Sequence, residues 1–192
     1  MAALVHFDEA GQWGETLVCE QPIRAALQRY GLACGRWPLR DLGDGSIDAV
    51  RAAYHGELDG LGLAVRSVDR VQLRPDHAGW PELRQKFIAE HTHDDAEVRY
   101  FLDGAGIFYI RVDGGFLALL CEAGDWVAVP AGTRHFFDAG EAPSFDALRI
   151  FTAPEGWVAR PTGAEAPPLP LFDEFVAGLL ELTGHAEPAC DL

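Results

Sequence analysis

Four side chains with metal-binding chemistry stand in two short segments. In AEHTHDDAEVRYF, residues 89–101, His91 and His93 are two apart and Glu97 follows four residues later. On a strand, alternate residues share a face, so both imidazoles point the same way, one pleat apart. Along a straight strand Glu97 would lie about 13 Å beyond His93. A turn or bulge at Asp94-Asp95 removes that distance and swings the carboxylate back toward the pair. The second segment, GDWVAVPAGTRH, runs from Gly124 through a short strand and a Pro130/Gly132 turn to His135. Three imidazoles and one carboxylate differ from a closed structural zinc site, which prefers four tetrahedral, cysteine-rich ligands. They suit an octahedral ion with two adjacent positions open, of the Fe(II), Ni(II) or Mn(II) type.

Arg99 shares the face of Glu97 and is a candidate for holding an anionic substrate. Arg149 stands in an otherwise apolar strand, ALRIF. An arginine there needs a partner, either a second anion contact or a structural ion pair. Phe87, Phe137 and Trp157 read as core residues, available to wall a pocket. His6, His55, His77 and His185 lack ligating company and read as surface or satisfied histidines.

Elements must carry these groups. AALVHF (2–7) reads as a strand. PIRAALQRY (22–30) reads as a helix, with Pro22 at its start and Gly31 after its end. Residues 46–61 read as one helix capped by Ser46, with Ile47, Val50 and Tyr54 on one face. From residue 67 the period changes to two. SVDRVQLRP is a strand, and WPELRQKFIAEH is a short helix or turn. Strands are then expected at 97–102, 106–112, 115–121, 125–129, 135–137 and 145–151, separated by the turns DGAG, DGG, EAGD, AGT and DAGEAP. Such spacing argues a β-sandwich or small barrel. PTGAEAPPLP is a crossing segment, and 171–185 is a closing helix. The expected plan is one domain over residues 1–192. It comprises a helical N-terminal part to about 65, a β core over about 67–160 and a C-terminal segment over 161–192.

The 192 residues are 48% apolar, enough for one core and against disorder. A formal net charge of −15 opposes nucleic acid and anionic membranes as partners, so an anionic substrate would need local positive charge. Apolar runs are strand-length, so no membrane span is expected. MAALVHFDEAGQWGE lacks a secretory pattern, so a cytoplasmic location is expected. Cys19, Cys34, Cys121 and Cys190 form no CxxC and are expected as free thiols. Nothing demands an oligomer, and a monomer is expected.

HTHDDAE with the following Gly104, together with GDWVAVPAGTRH, resembles the two cupin motifs. Gln85 and Ala139 replace a glycine and an asparagine that usually flank them, which touches turns and not ligands. KFIAEHTHDDAEVRYFLDGAGIFYI, GDWVAVPAGTRHFFD and RIFTAPEGWVA together resemble the acireductone dioxygenases of methionine salvage, over roughly residues 67–160. The resemblance implies an all-β cupin fold, a double-stranded β-helix or jelly-roll barrel with peripheral helices at both ends. It implies His91, His93, Glu97 and His135 as ligands of one Fe(2+) or Ni(2+) per chain. Arg99 and Arg149 would hold the anionic enediol, and Phe87, Phe137 and Trp157 would surround it. Acireductone and O₂ would be the substrates. Iron would give formate and 4-methylthio-2-oxobutanoate; nickel would give carbon monoxide, formate and 3-methylthiopropanoate. Two other expectations stand beside this one: a different metal-dependent cupin enzyme, or a non-catalytic cupin that binds a small anion.

Overall fold

The computed structural model describes residues 3–42, 46–153 and 158–184. The N-terminal third holds β1 (Ala3–Asp8), β2 (Trp13–Leu17), α1 (Glu20–Gln28), β3 (Ala33–Arg36), α2 (Ile47–Ala53) and α3 (His55–Gly60). The middle holds β4 (Ser67–Leu73), α4 (Trp80–Phe87), β5 (His91–Thr92), β6 (Glu97–Val112), β7 (Gly115–Glu122) and β8 (Asp125–Val129). After these come β9 (His135–Asp138), β10 (Phe145–Phe151), β11 (Arg160–Pro161) and α5 (Phe172–Thr183).

One strand organises the rest. The 16-residue β6 belongs to two strand layers. Its first part, Glu97–Tyr100, lies between β8 and β10. Its second part, Ala105–Val112, pairs with β7, and Ile107–Ile110 also pair with β9. One layer therefore runs β11-β5-β9-β6-β7-β1-β2, and the other runs β4-β10-β6-β8-β3. The sheet folds over on itself at β6 without closing, an all-β core of the cupin type with helices outside.

The expected DGAG turn is not a turn. Residues 97–112 are continuous, and the chain bends at a bulge where the β10 register shifts between Asp146 and Ala147. Leu102 is the extra residue there; Gly104, two residues on, has φ +69°, and a Cβ on it would meet the Ser144 carbonyl oxygen at 1.8 Å. The local signal for a left-handed residue is correct. Pairing on both sides of it turns a hairpin loop into a bend within one strand.

Three apolar clusters explain why the strands read as nearly continuous apolar runs. Between the layers lie Phe101, Phe108, Ile110, Leu117, Leu119, Val127, Phe137 and Phe145. Outside one layer, Phe175 of α5 packs with Phe7, Tyr109 and Phe136. Outside the other, Val50, Tyr54 and Leu58 pack on Val98, Tyr100 and Ile150. With both faces of β6 and β10 covered, alternation is weak.

The helices follow their sequence cues with shifted ends. Ser46 Oγ accepts from the Ala49 amide at 3.2 Å, capping α2. The helix expected over 46–61 is two helices, because Tyr54 leaves helical geometry at φ −111°, ψ 19° to pack in the outer cluster. α1 begins at Glu20, so Pro22 lies within its first turn, where its missing amide costs nothing. α5 ends on Gly184 in the left-handed region. The short strands β2, β3 and β11 escape sequence reading; too few residues carry a period. Cys34 and Cys121 are free, but Cys19 is disulfide-bonded, which corrects the free-thiol expectation there. Cys190 and His185 lie outside the described residues. Among the described residues no helix is long and apolar enough to cross a membrane.

Candidate metal centre

His91 begins β5 and stands in register with His135, the first residue of β9. His93 lies just beyond β5, where its carbonyl accepts from the Gly132 amide at 2.8 Å. The chain then bends at Asp94-Asp95, as the spacing requires. Asp95 carries this bend: its carboxylate accepts from the Thr152 and Ala153 amides, both at 2.8 Å, and from the Thr152 hydroxyl. Glu97 then opens β6, in register with Val129 of β8 and Phe151 of β10.

The four side chains meet. The three imidazoles offer ligand atoms within 4.8 Å of one another. His93 Nε2 is 3.2 Å from His135 Nε2 and 2.9 Å from Glu97 Oε2. Glu97 Oε2 is 3.5 Å from His135 Nε2. Ligands bonded at about 2.1 Å and at right angles lie about 3.0 Å apart, so these separations fit adjacent positions around one small ion. All four residues are buried.

The ring orientations point the same way. Each Nδ1 faces a backbone carbonyl, which can only accept. His91 Nδ1 donates to Ala89 at 2.7 Å, His135 Nδ1 to Thr133 at 2.8 Å, and His93 Nδ1 to Val158 at 3.4 Å. The protons sit on Nδ1, and the Nε2 lone pairs are left for the centre. Burial pushes the His91 imidazole down to about 4, so it is neutral near pH 7. Burial alone would raise the Glu97 carboxyl. The Arg99 charge beside it outweighs that and holds the group well below the usual carboxylate range. Neutral imidazoles and an ionised carboxylate are the donor forms a divalent cation takes.

Beside the donors lies a small cavity lined by Phe87, His91, Glu97, Arg99, Phe108, His135, Phe137 and Arg149. Arg99 is 5% exposed, and its Nη2 donates to Glu97 Oε1 at 2.5 Å. Its guanidinium carbon is 5.3 Å and 5.6 Å from the ring centres of Phe137 and Phe108. Its Nε is buried with no hydrogen-bond partner among the described residues. A buried, unpaired N–H on a charged group is costly, so an acceptor belongs beside it. Arg149 stands opposite Arg99 in register and also lines the cavity. It forms a two-pronged pair with Asp69 of β4, both contacts at 2.7 Å. Of the two roles considered for Arg149, the structural ion pair is present. Trp157 lies outside the described residues. Sequence reading missed Phe108. Alternation could not single it out, because Tyr109 beside it on the opposite face is equally buried.

The chain is similar to known proteins. The family model described as the ARD/ARD' family matches residues 57–159. A Parvibaculum lavamentivorans protein named acireductone dioxygenase is 50% identical over 145 residues, covering 73% of this chain and 79% of that protein. The chain belongs to the ARD/ARD' family, the acireductone dioxygenases. An Aquifex aeolicus acireductone dioxygenase matches 93% of this chain and all of its own length at 39% identity. Among solved structures, a Bacillus anthracis acireductone dioxygenase with a cadmium ion in its active centre superposes with a TM-score of 0.73. It is 26% identical and covers 83% of this chain and 98% of its own. A metal-dependent enzyme of this family agrees with the three-histidine cluster found here.

Proposed function

We propose that this chain cleaves acireductone with O₂, using one Fe(II) or Ni(II) ion held by His91, His93, Glu97 and His135. The observation that carries the reading is the convergence of three Nε2 lone pairs and the Glu97 carboxylate, with Arg99 beside them. Membership of the acireductone dioxygenases supplies the substrate. The donor set is imidazole and carboxylate with no soft ligand, which suits either ion.

A bound divalent ion would act as a Lewis acid and orient two substrate oxygens. The protein's own groups do the rest. Arg99 offers a fixed positive charge and a free Nε–H to an enediolate oxygen. Charge then balances inside the buried site: the ion and Arg99 offset Glu97 and a dianionic enediolate. Arg149 adds a second guanidinium on the same wall, with Asp69 keeping it oriented. Phe87, Phe108 and Phe137 keep water from the oxidisable substrate. The net charge of −15 therefore does not oppose an anionic substrate, because the attraction is local. The enediolate is electron-rich and reduces O₂ without a separate reductant, and both oxygen atoms end in the products.

The two ions should give different products on the same polypeptide. Metal-free protein is reconstituted with each ion and given acireductone, and the headspace is assayed. Iron protein should yield formate and 4-methylthio-2-oxobutanoate with little carbon monoxide. Nickel protein should yield carbon monoxide, formate and 3-methylthiopropanoate. Identical products from both would remove the metal dependence and leave the dioxygenase reading standing.

A further inference from the structure

Glu90 is a buried carboxylate that neither binds in the metal centre nor lines its cavity. It immediately precedes His91. Its Oε1 accepts from Arg134 Nε at 2.8 Å, Arg134 Nη2 at 2.5 Å and Thr162 Oγ1 at 2.7 Å. Its Oε2 accepts from Arg111 Nε at 2.6 Å. Its backbone oxygen accepts from the Thr162 amide at 3.0 Å. Arg134 immediately precedes His135, and its own carbonyl accepts from the Arg111 amide at 2.9 Å. One side chain thus ties together the residues before two candidate ligands, the end of β6 and the segment after β11.

The strand ladder between β5 and β9 does little of this. β5 is two residues long and meets β9 through a single register pair, His91 with His135. A ladder of one pair resists sliding and twisting poorly, while a metal site tolerates little displacement of its ligands. We propose that Glu90 is a positioning residue for the metal centre: by clamping Arg134 and Arg111 it fixes the separation of His91 and His135. The inference rests on the four-ligand reading above. It also explains why a charge is buried here, where an apolar residue of similar size would serve stability as well.

A structural role alone makes a different forecast, and the chain contains the control. Asp146 is likewise buried and holds Arg70 by two contacts, at 2.8 and 2.6 Å, but flanks no candidate ligand. Wild type, Glu90→Gln and Asp146→Asn are freed of metal, loaded with Ni(II) and chased with excess chelator, with folding followed by circular dichroism. At temperatures where all three are folded, Glu90→Gln should release Ni(II) roughly tenfold to a hundredfold faster than wild type. Asp146→Asn should melt earlier than wild type yet release Ni(II) at the wild-type rate. Wild-type release from Glu90→Gln would overturn the proposal, as would equal acceleration in Asp146→Asn. If Glu90→Gln does not fold, Thr162→Val decides, since it removes one neutral donor from the same carboxylate. Release roughly threefold faster than wild type is then expected, and an unchanged rate overturns the proposal. Wild type that binds no Ni(II) would instead refute the four-ligand reading itself, and the Glu90 role with it.

Discussion

At the scale of single residues, the protonation states of the donors carry testable consequences. The folded His91 imidazole titrates at about 4 because it is buried, against about 6.5 in an unfolded chain. A depressed folded value means stability present above pH 6.5 and lost as the pH falls through about 4. Glu97, also held low, adds a loss at still lower pH. One proton costs about 1.4 kcal/mol per pH unit, so metal-free protein should lose up to about 3 kcal/mol over this window. Chemical denaturation at several pH values checks this, and His91→Asn should flatten the dependence by a similar amount. Glu97→Ala and His135→Ala should each lose most bound metal or most turnover; either variant with full metal and wild-type turnover would break the ligand assignment. Arg99→Met keeps the alkyl bulk and three imidazoles. It should stay folded and retain metal while turnover falls roughly tenfold to a hundredfold, the worth of a charged hydrogen bond. Unchanged kinetics would make Arg99 a packing residue. The meeting of His91, His93, Glu97 and His135 was legible in sequence because metal chemistry restricts residue types and spacing. Glu90 was not, because its meaning depends on Arg111 and Arg134, which only the fold brings to it.

At the scale of elements, the bend in β6 decides where the site lies. Gly104 lets one strand serve both layers, so Glu97 and Arg99 face the histidines while Phe108 closes the same cavity from further along. Gly104→Ala would place a Cβ against the Ser144 carbonyl and force a left-handed φ on alanine. It should cost more than about 1 kcal/mol, read as an earlier thermal midpoint. A variant as stable as wild type would show that the bend does not need glycine. The strands with strong composition, β6 through β10, were readable to within a few residues. The DGAG segment was not, because a positive-φ glycine serves a hairpin and a bulge equally, and only the partners on β10 distinguish them. The two-residue β5 and β11 are defined by pairing rather than by any local preference.

At the scale of the whole molecule, the arrangement is a buried, charge-balanced centre inside an acidic shell. The regular short strands and turns from residue 67 onward forecast an all-β core, and the two motifs with their histidines and glutamate pointed to a single metal site within it. How β6 divides its pairing between two layers that do not close was beyond such reasoning, since it depends on contacts across the whole chain. The central claim joins metal, substrate and O₂ in one observable. Oxygen consumption is followed after acireductone is added to metal-free protein, to the Fe(II) form and to the Ni(II) form. Both metal forms should consume O₂ well above the spontaneous oxidation of the substrate, and the metal-free protein should not. Consumption at the spontaneous rate by both metal forms would contradict the account.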